Sequence, residues 1–96
     1  MYVYFLRVRA RSEEAAHAIC RDADHLLPLF QEPGWLGGAC LHNTTDPRDL
    51  IIYGRWANEA SARAWLDSAA GRLSQQRLSS NATAAPEIGI FQGEAV

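Results

Sequence analysis

The sequence predicts an α+β domain: a four-stranded antiparallel sheet with its helices on one face, in the chain order β-α-β-β-α-β. Three observations lead there. Tyr2–Arg9, Trp35–His42, Leu50–Trp56 and Glu87–Gly93 carry apolar, β-branched and aromatic residues that suit a pleated surface. Two segments between them repeat their apolar residues at the 3.6-residue period of a helix. Pro33-Gly34, the polar run Asn43–Asp49 and the linker Asn81–Pro86 punctuate the pattern with turn-forming residues.

The first strand alternates Tyr2, Tyr4, Leu6 and Val8 with Val3, Phe5, Arg7 and Arg9. Both faces are largely apolar, so this strand is expected at the centre of the sheet. Ser12-Glu13-Glu14 is a helix start, a capping residue followed by acids in the first turn. Ala16, Ile19, Ala23, Leu26, Leu27 and Phe30 form the buried stripe of that helix, and Pro28 is expected to kink or end it. Within the second strand, Gly37 and Gly38 leave room for a bulge, another backbone or a ligand.

The third strand runs almost without a loop into the second helix. Asn58 is placed to accept from the first free amides, and Glu59 sits where the helix dipole favours a carboxylate. Ala62, Trp65, Leu66 and Ala69 share one helical face. Trp56 closes the strand and Trp65 lies on the buried face, so two of the three tryptophans bracket one corner, where a ligand is expected. Gly71 is expected to break the helix, with a short further helix over Arg72–Ser80 before the last strand, in which Ile88 and Ile90 share a face.

This order is the split β-α-β, or ferredoxin-like, arrangement. The sheet face opposite the helices still carries Val3 and Phe5, and a second copy of the chain is the simplest cover for it, giving a dimeric α+β barrel. At 96 residues the chain is expected to be one domain over residues 1–96. No apolar run approaches the roughly 20 residues that span a bilayer. The N-terminal MYVYFLRVRA lacks a leading basic segment and a cleavage site, so a cytoplasmic protein is expected. The net charge is −2, all nine basic residues are arginine, and no basic stripe interleaves with aromatics, which argues against nucleic acid as a partner.

Cys20 and Cys40 match no CxxC spacing and read as buried free thiols, with a disulfide or a reactive thiol as the alternatives. His17 and His25 stand eight residues apart, not the four that align two ligands on a helix, so no metal cluster is expected. Each histidine alone reads first as a surface residue. His42 lies on the Cys40 face and His25 on the first helix, and either is a candidate base near neutral pH. Arg72 and Arg77 read first as solvated, and as candidates to steady an enolate or phenolate. Trp65 and Trp56 are core residues or flat walls against a planar ligand; Gly54, on the Trp56 face, leaves a gap that favours a pocket.

Pro33-Gly34-Trp35-Leu36-Gly37, then Gly54-Arg55-Trp56-Ala57-Asn58-Glu59-Ala60, then Ala64-Trp65-Leu66 resemble, as an ordered set, the antibiotic biosynthesis monooxygenase family. The resemblance implies a homodimer with one pocket per subunit, between sheet and helices. One branch of the family oxidises anthrone-like or hydroquinone-like aromatic polyketides to quinones with O₂ and no cofactor. Another binds and degrades haem, and others are cyclases. Trp65 falls on the helix tryptophan of the haem branch, but that branch's first-strand asparagine position holds Leu6. Its axial histidine is answered by Ser74 or Gln75, poor substitutes on iron. Haem is therefore disfavoured, and no cofactor is expected. Trp56 falls on the strand-end tryptophan of the quinone-forming branch, whose strand asparagine and helix tyrosine positions hold Ile52 and Ala62.

The function expected is a cofactor-independent monooxygenase acting on a small aromatic or polyketide-derived substrate in secondary metabolism. His42 or His25 would be the base and Arg72 or Arg77 the anion partner, with Trp56, Trp65, Leu6, Ile52 and Gly54 lining the pocket. The alternatives are a polyketide cyclase or isomerase, a binder of haem or another planar ligand, and a dimeric domain without chemistry.

Overall fold

The computed structural model describes residues 1–26 and 32–94, with His25 and Leu26 described by their backbone alone. The expectations placed on Leu27, Pro28 and Phe30, and on the Leu26 side chain, lie outside the described residues. The elements are β1 (Tyr2–Arg9), α1 (Glu13–Leu26), β2 (Trp35–His42), β3 (Asp49–Trp56), α2 (Glu59–Asp67), α3 (Ala69–Ser80) and β4 (Glu87–Gln92). The strands form one sheet in the order β2-β3-β1-β4, with every neighbouring pair antiparallel. The α+β, ferredoxin-like arrangement is therefore present, with β1 inside the sheet.

Register explains the core. Tyr4 pairs with Gly54, Leu6 with Ile52 and Val8 with Leu50, so one face of β1 and one face of β3 meet the helices together. Tyr4, Leu6, Val8, Leu50, Ile52 and Trp56 are all buried. Ala16, Ile19 and Ala23 of α1, Ala62 and Trp65 of α2 and Leu78 of α3 close over them. On the other face Arg7 and Arg9 are exposed, and Arg7 makes a two-pronged pair with Asp49 at 3.1 and 2.8 Å. That guanidinium, together with the Asn43 amide, pulls the Asp49 carboxyl down to about 2.

Capping chemistry sets the helix starts. The Ser12 hydroxyl accepts from the Ala15 amide at 3.0 Å, and the Asn58 carboxamide oxygen accepts from the Ser61 amide at 2.8 Å. The Ser61 hydroxyl donates to the Pro33 carbonyl at 3.1 Å, which seats the Pro33-Gly34 turn against the start of α2.

The break between α2 and α3 is at Ser68, not at Gly71 as the glycine suggested. Ser68 is extended (φ −69°, ψ 161°) and serves both helices. Its hydroxyl donates to the Trp65 carbonyl at 2.6 Å and accepts from the Gly71 amide at 3.0 Å. Gly71 lies within α3, which therefore begins at Ala69, ahead of the expected Arg72. A Cβ at Gly71 would stand 2.1 Å from the Trp65 carbonyl oxygen, so glycine is what lets α3 start against the end of α2. Replacing Ser68 by Ala is expected to lower stability by about 1 kcal/mol, the usual value of an N-cap. A urea midpoint shifted down at unchanged m-value checks it; an unchanged midpoint contradicts it.

Candidate functional site

The layer between sheet and helices is aromatic at one end. Tyr4 meets Trp65 edge-on with ring centroids 4.7 Å apart, and Trp35 meets Trp56 edge-on at 4.9 Å. Tyr4 and Trp56 are fully buried and Trp65 is nearly so. Leu6 and Ile52, paired across β1 and β3, continue this layer as an apolar floor. The Tyr4 hydroxyl is buried without a hydrogen-bond partner among the described residues. Burial pushes this phenol well above its ordinary pKa, so it stays neutral and keeps its proton to donate.

Gly54 does leave a gap, but the gap is not empty. A Cβ at Gly54 would stand 2.6 Å from Cζ3 of Trp35, and one at Gly38 would stand 3.1 Å from Cη2 of the same indole. Gly38 and Gly54 pair across β2 and β3, so the two glycines form a trough that the Trp35 ring fills. A β-bulge between Trp35 and Gly37, with Gly37 at φ +115°, accompanies this placement. Of the alternatives the sequence left open for Gly37-Gly38, the structure has the bulge and another backbone, the Tyr53 carbonyl oxygen standing 2.3 Å from where a Gly38 Cβ would be; the indole of Trp35 was not among them.

Deeper in, Ile19, Asp22, Ala23, Ile52, Ser74 and Leu78 line a slot of about 10 Å³. That is close to the minimum for one water, and far short of an aromatic substrate. Arg77 stands at this side of the layer, its guanidinium 3.6 Å from the Asp22 carboxylate of α1. Arg72 is exposed, in an open depression on α3 with Gln75, Gln76 and Ser79.

His42 is not at the aromatic end. It pairs with Leu50, whereas Trp35 pairs with Trp56, six positions along β3. At about 3.3 Å per residue the two ends are about 20 Å apart. His42 is exposed, and its Nε2 lies 3.3 Å from Sγ of Cys20. Cys20 and Cys40 form a disulfide with Cα atoms 5.8 Å apart, which corrects the expectation of free thiols. The i, i+2 placement of Cys40 and His42 gave them a common face; the sequence did not show that Cys20 of α1 would lie over it.

The direction of α1 follows from these contacts. His17 faces His42, with ring centroids 6.0 Å apart, and Cys20 faces Cys40. At 1.5 Å per residue the His25 backbone is then about 7 Å nearer the tryptophan end than Cys20.

The family model for antibiotic biosynthesis monooxygenase matches residues 1–76. Similar solved structures include a Deinococcus radiodurans protein assigned to the antibiotic biosynthesis monooxygenases. It is 20% identical, with a TM-score of 0.83 over 100% of this chain and 96% of its own. A Nitrosomonas europaea protein assigned likewise is 19% identical, with a TM-score of 0.76 over 97% of this chain and 98% of its own. SnoaB, a cofactor-independent oxygenase from Streptomyces nogalater, is 12% identical, with a TM-score of 0.79 over 99% and 94%. At these identities the structural likeness speaks for the fold. No curated protein matches the sequence. No helix among the described residues is long and apolar enough to cross a membrane.

Tyr4 and Trp35 are site residues that sequence reasoning left out, and the Trp35 trough is testable by a double-mutant cycle. Gly54→Ala is expected to destabilise the protein by about 1–3 kcal/mol through overpacking against Trp35. In a Trp35→Ala background the same change is expected to cost little. Equal costs in both backgrounds, measured by denaturant unfolding, would remove Trp35 as the occupant.

Proposed function

Because the chain belongs to the antibiotic biosynthesis monooxygenase family, we propose that it is a cofactor-independent monooxygenase acting on an aromatic or polyketide-derived substrate in secondary metabolism. The observation that carries the reading is the Tyr4 hydroxyl, buried in an aromatic layer without a partner among the described residues. A buried polar group left unpaired costs about 1–3 kcal/mol, and a ligand oxygen at that point would recover it. SnoaB, described as cofactor-independent, supports chemistry without a prosthetic group.

An electron-rich substrate needs little from such a site. A base removes a proton from a ring methylene beside a carbonyl, and Tyr4 donates to the oxygen that takes up the charge. The carbanion reduces O₂, a C–O bond forms, and the O–O bond then breaks with loss of water. One CH₂ and one O₂ give one quinone carbonyl and one H₂O, so the substrate supplies every electron. Of the candidate bases, His25 is assigned the role, because its backbone lies nearer the aromatic end than His42. Arg72, one residue past the Gly71 that lies against the Trp65 carbonyl, and Arg77, beside Asp22, are the candidate cations. Trp56, Trp65, Leu6 and Ile52 are the walls.

Oxygen uptake with anthrone and hydroquinone substrates tests this. Wild-type protein is expected to consume O₂ and form quinone without added cofactor. Tyr4→Phe is expected to cost about 10²–10³-fold in kcat, the value of one lost anion donor. Uptake that survives Tyr4→Phe and the double replacement of His25 and His42 by Ala overturns the assignment. Turnover under strict anaerobiosis indicates the cyclase or isomerase instead. The closed slot beside Ile52 favours one further reading, a dimeric domain without chemistry; absence of both turnover and ligand binding would establish it.

The working unit is proposed to be a homodimer. Leu41 and Phe91 are large exposed apolar residues on the sheet face away from the helices, and Phe91 packs edge-on against Phe5 with centroids 5.9 Å apart. A second copy would cover this face. Sedimentation is expected to show a dimer for the wild type and a monomer for Phe91→Glu; a monomeric wild type overturns the proposal.

A further inference from the structure

Four side chains at the end of the molecule away from the tryptophans have the makings of a metal centre. His17 and Cys20 stand one turn apart on the same side of α1, at i and i+3. Cys40 and His42 stand two apart on β2, and alternate side chains of a strand share a face. The packing of α1 against β2 brings the two pairs together. The Sγ atoms of Cys20 and Cys40 and a ring nitrogen of His42 all lie within 4.8 Å of one another. The His17 and His42 rings are 6.0 Å apart between centroids.

We propose that the reduced protein binds one Zn²⁺ ion, or a cation of the same chemistry, through Cys20, Cys40 and His42, with His17 as the fourth ligand. Two thiolates and two imidazoles suit a borderline-soft tetrahedral ion. With Zn–S near 2.3 Å and Zn–N near 2.0 Å, tetrahedral geometry puts sulfur and nitrogen about 3.5 Å apart. The Cys20 Sγ to His42 Nε2 separation is already 3.3 Å. The same geometry puts two ligating imidazoles about 5 Å apart between centroids, a shift of about 1 Å from the present pair. Cys20 and Cys40 are only partly buried and both histidines are exposed, so an ion has an entry path.

The disulfide is the oxidised form of the same site. A dithiol reductant gives two electrons to the Cys20–Cys40 bond and becomes a cyclic disulfide, leaving two thiols. The ion then displaces the two thiol protons as it binds. A reducing compartment keeps such a pair as thiols, ready for metal; an oxidising one keeps the disulfide. Either form ties α1 to β2 at the same place. The site therefore exchanges one cross-link for another with redox state. It does not rest on the oxygenase reading: Cys40 pairs with Ile52, two positions along the sheet from the Gly38–Gly54–Tyr4 row, and His42 lies opposite Leu50, six positions along β3 from Trp56.

Cobalt titration tests the proposal, because tetrahedral thiolate-bound Co²⁺ has a strong charge-transfer band and visible d–d bands. Protein reduced with a phosphine and kept anaerobic is expected to take up one Co²⁺ per chain with both signatures, and to lose them to Zn²⁺. Oxidised protein is expected to show neither. Cys20→Ser or Cys40→Ser alone is expected to weaken the charge-transfer band, and the two together to abolish it. His42→Ala and His17→Ala should each weaken binding by at least the roughly 10–100-fold that removing a ligand's supporting partner costs, and His17→Ala should also change the d–d pattern. Circular dichroism on each variant separates loss of the site from loss of the fold, and His42→Gln provides a milder change if His42→Ala does not fold. A folded, reduced protein without a thiolate–cobalt spectrum overturns the site, as does equal binding by oxidised protein. Affinity unchanged in folded His42 variants overturns the ligand assignment.

Discussion

β1 and β3 pair without interruption from Tyr2 opposite Trp56 to Arg9 opposite Asp49. Because side chains alternate along a strand, this register decides which residues enter the core. A slip by one position would carry Tyr4, Leu6 and Val8 to the outer face and bring Phe5 and Arg7 under the helices. The charged residues hold the register from the other side. Arg7 grips Asp49 and Arg9 pairs with Asp46, both pairs at the solvent edge. Exposed pairs of this kind contribute little energy, so their value is in alignment rather than in strength. The low pKa of Asp49 fits that role: its folded value lies below the unfolded one, so its contribution is present at neutral pH and is lost as pH falls through about 2.

Once that register is set, the sheet has two chemically distinct ends. At one, the Gly38–Gly54 trough seats Trp35 against Trp56, and the Pro33-Gly34 turn fastens the same corner to α2 through Ser61. At the other, α1 carries Cys20 and His17 over Cys40 and His42. The first end is aromatic and buried, and its Tyr4 hydroxyl has no hydrogen-bond partner among the described residues; the second is sulfur- and imidazole-rich and open to solvent. The proton abstraction proposed for this chain would belong at the dry end, because removing water strengthens the donors that hold an anion. Metal or redox chemistry belongs at the wet end, because ions and reductants must reach it.

Local signals were legible and cross-element ones were not. The limits of β1 and β2, the Ser12 and Asn58 caps and the inner face of β3 followed from alternation and capping chemistry, which involve near neighbours. The start of α3 was misplaced because Gly71 looks like a helix breaker; only the Trp65 carbonyl, lodged where its Cβ would be, shows why glycine is needed there. The space beside Gly54 was visible, but its occupant depends on the β2–β3 register and on a bulge that spacing does not reveal. Cys20 and Cys40 are 20 residues apart in sequence, and a helix must cross a strand before their separation means anything. The H-x-x-C and C-x-H spacings are each a same-face pair, and together they were the available signal for the sulfur end.

α1 connects the two ends, and this gives the cross-link between Cys20 and Cys40 a consequence beyond its own neighbourhood. The helix contributes Ile19, Asp22 and Ala23 to the slot beside Ile52, and Asp22 meets Arg77 of α3. Holding Cys20 to Cys40 therefore holds the wall of that slot one turn further along. Closing a loop of this length contributes on the order of 3 kcal/mol when the link is covalent. A metal link contributes according to the concentration of free ion, because only the bound state is stabilised. The covalent form fixes α1 on the sheet, whereas the metal form makes that hold depend on ion supply. The wall of the Ile52 slot is thus held through two sulfur atoms that do not line it, joined to each other or, in the proposed form, through an ion.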